Sequence, residues 1–207
     1  MRRRPACAGA LPAAILLAAA ALLAGCAVAP RRAAPPAAPT AAELASLARL
    51  ADFAVAGRVA VQSSSQGWSA SFDWRESAGR GTLDVRGPFG AGATRITRSD
   101  ERVVIESGSD APLEIAAPFT GLEAALAARL GFPLPLAPLR YWILGVPAPG
   151  LASEGGAGRF RQADWDVACD AYLRVAGAPA PLPGRLVLTR AATRIRVVVD
   201  HWVVDAP

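Results

Sequence analysis

Trp68-Ser69-Ala70-Ser71-Phe72-Asp73-Trp74-Arg75 is the stretch whose reading decides the fold. Side chains alternate across a β-strand with a period of two. Here Trp68, Ala70, Phe72 and Trp74 fall on one face, and Ser69, Ser71, Asp73 and Arg75 on the other. Wide apolar groups opposite polar ones describe a strand with one buried and one wet face, as in an antiparallel sheet.

The same period extends outward from this strand. Upstream, Val55, Gly57, Val59 and Val61 share one face of a preceding strand. Downstream, Gly81 to Arg86, Ala93 to Arg98, Arg102 to Ser107 and Pro112 to Ile115 read as strands joined by Gly- and Asp-bearing turns, an antiparallel meander. The pattern breaks at Phe119. Leu122, Ala125, Leu126 and Leu130 follow helical spacing, and Gly131 is a natural stop. Pro133, Pro135 and Pro138 predict a rigid turn into a short apolar helix from Leu139 to Leu144, ended by Gly145 and Pro147. Gly155-Gly156 with Gly158 reads as a flexible turn. Strand signals resume over Gly158 to Gln162, Asp164 to Val175, Arg185 to Thr189 and Arg194 to Val203. Ahead of the first strand, Ala41 to Asp52 places Leu44, Leu47 and Leu50 on neighbouring faces of a short helix, with Thr40 as its N-cap. The expected fold is mainly β, of the α+β class: a curved antiparallel sheet of about 11 strands, partly closed around a helical insertion.

The N-terminus is of another kind. Arg2-Arg3-Arg4 precedes an apolar run of 13 residues, Leu11 to Leu23, and then Leu23-Ala24-Gly25-Cys26. A spanning helix needs about 20 apolar residues, so this run reads as a secretory signal. Leu-Ala-Gly-Cys resembles the bacterial lipobox: small side chains flank the scissile bond, and the Cys26 thiolate takes a diacylglycerol. Residues 1–25 are then a lipoprotein signal peptide. Residues 26–40, with Pro30, Pro35, Pro36 and Pro39, form a lipidated Cys and an extended tether, and residues 41–207 the folded domain. Ala27, in place of Asp, is consistent with export to the outer membrane.

Composition narrows the function further. The chain is 53% hydrophobic and 19% charged, which supports a packed core. Its 22 basic residues are all Arg. Those 22 less Arg2, Arg3 and Arg4 leave 19 against 17 acidic residues, a charge near +2 with no basic cluster for nucleic acid. Three Cys and one His supply neither a metal cluster nor a disulfide framework. Cys169 lies in an apolar alternation and reads as a small buried hydrophobe, and His201 has no motif around it. No Gly-x-Ser-x-Gly elbow and no phosphate-cradling loop occur, so neither an enzyme nor a cofactor is expected.

Several pieces in order resemble the outer-membrane lipoprotein receptor family LolB. They are Gly57-Arg58-Val59-Ala60-Val61, Phe72-Asp73-Trp74, Gly87-Pro88-Phe89-Gly90 and Leu130-Gly131-Phe132-Pro133-Leu134-Pro135. Leu139-Arg140-Tyr141-Trp142-Ile143-Leu144-Gly145-Val146-Pro147 is the most telling, and Phe160-Arg161-Gln162, Trp165-Asp166-Val167, Leu182-Pro183 and Ile195-Arg196-Val197 to Trp202 follow. The resemblance implies an incomplete β-barrel with a helical lid around an apolar cavity. It also implies a monomeric receptor, anchored in the outer membrane on its periplasmic side. Such a receptor accepts acylated lipoprotein clients from a LolA-like periplasmic carrier and inserts them into the bilayer. Trp68, Phe72, Trp74, Trp142 and Trp165 are the candidate cavity-lining residues. On the residues alone a closed core accounts for the same rings. The resemblance further makes Gly87, Pro88, Phe89 and Gly90 a membrane-delivery loop, with Phe89 exposed at its tip rather than folded beneath it. The rival expectation is a structural or assembly lipoprotein that binds a protein partner and carries no lipid.

The lipobox generates the first prediction. Cys26→Ser blocks lipidation and leaves the precursor at the inner membrane on its uncleaved signal. Palmitate labelling with membrane fractionation checks this, and a labelled variant in the outer membrane contradicts it.

Overall fold

The computed structural model describes residues 36–63, 67–87 and 92–204. The signal segment, Cys26, most of the tether, and Pro88, Phe89 and Gly90 of the expected delivery loop lie outside these residues.

Helix α1 (Ala41–Ala48) opens the domain. Thr40 caps it as the sequence predicts, through a reciprocal pair: the Glu43 amide donates to Thr40 Oγ1 at 3.4 Å, and the Thr40 amide donates to Glu43 Oε2 at 2.7 Å. The second of these bonds, from the Thr40 backbone, holds the Glu43 carboxyl below its usual range. The first meander follows as β1 (Phe53–Gln62), β2 (Gly67–Ser77), β3 (Arg80–Arg86), β4 (Thr94–Arg98), β5 (Arg102–Ser107) and β6 (Leu113–Ala116). Helices α2 (Leu122–Leu130) and α3 (Leu136–Trp142) come next. The second meander is β7 (Ser153–Gly156), β8 (Arg159–Gln162), β9 (Trp165–Asp170), β10 (Arg185–Arg190) and β11 (Thr193–Val203).

These 11 strands form one sheet in the order β6-β5-β4-β3-β2-β1-β11-β10-β9-β8-β7. Neighbours are antiparallel, and β1 pairs with β11 to join the two meanders. No ladder joins β6 to β7 among the described residues, so the barrel is incomplete. The alternation read in β2 sets the faces: Ala70, Phe72 and Trp74 are buried, while Ser69, Ser71, Asp73 and Arg75 are exposed. Ion pairs such as Arg58–Asp200 at 2.9 Å and Arg95–Asp84 at 2.7 Å lie on the wet outer face and contribute little to stability. The inner face packs against the helices in one apolar cluster that includes Leu47 of α1, Leu126 of α2 and Leu139 of α3.

Several expected boundaries differ. Helix α1 stops at Ala48, where Arg49 becomes its C-cap. Helix α3 begins three residues before the expected Leu139, because Pro138 sits in its first turn, where no amide donor is required. The expected strand from Asp164 to Val175 ends at Asp170, since Ala171 turns the chain with φ 54°. Gly155-Gly156, read as a turn, belongs to β7 and pairs with Phe160 and Arg159. That strand is exposed throughout, so no alternation announces it.

The seam between β1 and β11 shifts register between Ala56 and Gly57. A Cβ at Gly57 would stand 2.2 Å from the Val198 carbonyl oxygen and 3.0 Å from Phe72. Only glycine allows the strands this close at the irregularity. Gly57→Ala is therefore expected to cost about 1–3 kcal/mol, the usual range for overpacking. A lower urea midpoint at unchanged slope is the expected reading.

Candidate functional site

The inner face of the sheet and the helical segment enclose a cavity of about 60 Å³. Val59, Trp68, Phe72, Trp74, Leu83 and Val85 contribute its wall from β1 to β3, and Leu188, Ile195 and Val197 from β10 and β11. Leu130, Phe132, Leu134, Leu139 and Ile143 cover it. Every lining side chain is apolar, so the cavity offers water no hydrogen-bond partners and is dry. The period-two pattern supplies the wall. Leu139 of α3 and its C-cap residue Ile143, four residues apart, supply one stripe of the cover.

Of the five aromatic residues singled out from the sequence, Trp68, Phe72 and Trp74 stand on the cavity wall. Trp68 is half-buried and meets Phe132 with ring centroids 5.2 Å apart, so cover and wall touch at this end of the cavity. Trp142 and Trp165 stand apart from these lining residues. Both are fully buried, with ring centroids 6.5 Å apart. Trp142 points from α3 toward β8, where its Nε1 donates to Gln162 Oε1 at 2.8 Å. Gln162 also accepts from the Ala148 amide at 2.7 Å and donates to the Ala148 and Leu151 carbonyls at 2.9 and 3.0 Å. Its amide is fully used, and this fixes α3 to the second meander. Trp165 carries the Arg190 guanidinium 4.7 Å above its ring. These two rings are the packed core that composition alone would assign them to.

Sequence reasoning did not single out the cover as cavity lining, although Leu130, Phe132 and Leu134 stood in a motif that it quoted. Its signal was an apolar residue at every second position through the Pro-rich turn, from Leu130 to Leu136.

Burial, with a smaller contribution from Asp170, pushes the Cys169 thiol up to about 12, so at neutral pH it stays a protonated thiol. His201 is exposed on the outer face. Val197, opposite Leu186 and through it Cys169, is buried, and the register shift that passes over Asp200 turns His201, four positions further along, to the other side of the sheet. Among the described residues, no group of three or more His, Cys, Asp or Glu is placed to hold a metal ion.

The fold is an open antiparallel barrel with a helical cover over an apolar cavity. A crystal structure of a LolA superfamily protein from Nitrosomonas europaea matches with a TM-score of 0.51 and 8% identity, covering 83% of this chain and 96% of that one. The chain belongs to the outer membrane lipoprotein LolB family, whose profile matches residues 51–202. The outer-membrane lipoprotein LolB of Halorhodospira halophila is 36% identical over 162 residues, 75% of this chain and 77% of that protein. The LolB of Alkalilimnicola ehrlichii is 30% identical over 191 residues, 89% of this chain and 92% of its own.

The different surroundings of the tryptophans generate a prediction. Trp142→Ala is expected to cost about 3–5 kcal/mol, the range for a large core ring. Trp68→Ala, at the half-exposed end of the cavity, is expected to cost distinctly less. Denaturant melts compare them directly, and equal losses contradict the division into core and wall.

Proposed function

We propose that the cavity receives the acyl chains of lipoproteins, and that the protein accepts these clients from a LolA-like carrier and releases them into the outer membrane. The carrying observation is a wholly apolar cavity whose cover meets a half-buried Trp68. An acyl chain in water costs about 0.8 kcal/mol per methylene. A lipoprotein therefore needs an apolar enclosure from the moment it leaves the donor. At about 60 Å³ the cavity has room for only a few waters, far less than an acyl chain. Uptake then requires the segment from Leu130 to Ile143 to move away from the wall. Such a change is driven by the acyl chain's preference for the opened state. No nucleotide enters this scheme: the transfer runs downhill, from the donor to this cavity and from the cavity to the bilayer.

The lipidated Cys26 holds a monomer at the outer membrane in this reading, and the chain itself is not an enzyme. Native mass spectrometry of the mature chain carrying Cys26→Ala, mixed with a triacylated lipopeptide, tests the carrier function. A complex that survives with one lipopeptide bound supports it. Protein that stays empty at saturating lipopeptide contradicts it and favours a scaffold that binds only proteins.

Delivery is assigned to the segment Gly87-Pro88-Phe89-Gly90. Strand β3 ends with Arg86 opposite Ser71, so the chain leaves the sheet on the Trp68 side. A Phe that inserts into a bilayer gains about 1.5–3 kcal/mol, enough for a brief contact and too little for an anchor. Phe89→Glu should leave acceptance from the donor intact and sharply slow release to liposomes, while Phe89→Leu should remain mild. A two-stage assay, loading first and liposomes second, separates the steps. Loss of acceptance in both variants would place Phe89 in the core.

A further inference from the structure

The inward face of β2 reads Trp68, Ala70, Phe72, Trp74, Glu76, and it changes from apolar to charged in a single step. Glu76 is buried, with its side chain 1% exposed. Its Oε1 accepts from Trp74 Nε1 at 2.9 Å. Its Oε2 accepts from Arg98 Nη2 at 2.7 Å and lies 3.5 Å from Arg140 Nε. Arg140 projects from α3, beside the cavity-lining Leu139, and donates through Nη2 to the Leu50 carbonyl at 3.0 Å. Gly81 opposes Glu76 across the ladder, and a Cβ there would stand 2.3 Å from the carboxylate. The niche is thus built around this charge.

The register shows where the cluster sits. Phe72 pairs with Val85, and Trp74 with Leu83; all four line the cavity. The next inward rung is Glu76, Gly81 and Arg98, and none of these lines it. The apolar track therefore runs from the half-buried Trp68 to Trp74 and ends against three charges. Six residues of strand at about 3.4 Å each give it a length of about 20 Å.

We propose that Glu76, held by Arg98 and Arg140, is a polar stop that limits how deep an acyl chain enters, and so determines the chain length the cavity accepts. This rests on the acyl-binding reading above. A terminal methyl reaching the rung of Glu76 finds charges already satisfied by one another. To go further it must separate a buried ion cluster, which leaves charges unpaired in the interior. Longer chains therefore leave their surplus methylenes at the Trp68 end, in water. The stop also takes up the one polar atom of Trp74, so the wall above it remains apolar.

Saturated lysophosphatidylcholines of increasing chain length, titrated below their micelle concentrations into the mature chain carrying Cys26→Ala, test the stop. Their headgroup is zwitterionic and gives the arginines no net charge to attract. Each added methylene should tighten binding about fourfold until the hydrocarbon spans the track, and add almost nothing thereafter. In the variant that removes all three charges, Glu76→Leu, Arg98→Leu, Arg140→Leu, the break should move to longer chains, while Glu76→Gln, which keeps a polar floor, should retain it. Affinity that climbs through the whole series in the unaltered domain overturns the proposal. So does an unmoved break in that three-residue variant when it folds. If that variant does not fold, the unaltered series still decides by the presence and place of its break. Failure to bind at any length overturns the acyl-binding reading itself, and the stop with it.

Discussion

Antiparallel pairing of β1 with β11 is the contact on which the rest of the structure depends. It runs from Ala54 opposite Val203 to Gln62 opposite Arg194, and it joins strands from the two ends of the folded chain. Each meander alone is a sheet with an uncovered apolar face. Joined at the seam, they curve into one concave surface that the helical segment covers. The cavity draws on both sides of this seam, with Val59 and Phe72 from one meander and Ile195 and Val197 from the other. A contact between such distant residues is slow to form but organises everything once made.

Curvature and dryness follow from local devices at the seam and around it. Gly57 lets β1 approach β11 where the register slips. The indole nitrogens of Trp74, Trp142 and Trp202 each donate to an acceptor beyond the cavity wall: Glu76, Gln162 and the Pro183 carbonyl. A buried N–H without such an acceptor costs about 1–3 kcal/mol and would draw water inward. Large aromatic rings can therefore serve both as wall and as core, according to where their nitrogen is held. That distinction separates Trp74, which faces the cavity, from Trp142, which does not.

The sheet was legible in the sequence because a half-buried strand declares itself by alternation, as β2 does from Trp68 to Arg75. The capped start of α1 was legible for a similar reason, since Thr40 and Glu43 stand at the spacing of a capping box. Strand β7 was not, because Ser153-Glu154-Gly155-Gly156 has no buried side chain to set a period. The division of the tryptophans was also illegible. Trp142 is held outside the cavity wall by Gln162, twenty residues along the chain, and only the folded register brings the two together. Family resemblance could point to aromatic rings, whereas the folded register decides which of them line the cavity. The residues of the expected lid were not assigned to the cavity for a further reason: prolines mask their alternation by reading as a turn.

The central claim is that acyl chains occupy the space between the β2 wall and the cover. Photocrosslinking tests it most directly, with a lipoprotein whose acyl chain carries a diazirine near its midpoint, loaded on the protein and mapped by peptide mass spectrometry. The account predicts adducts on Trp68, Phe72, Phe132 or Leu134, and none on the outward-facing Ser69, Ser71 or Arg95. Adducts confined to the outer face of the sheet would contradict it.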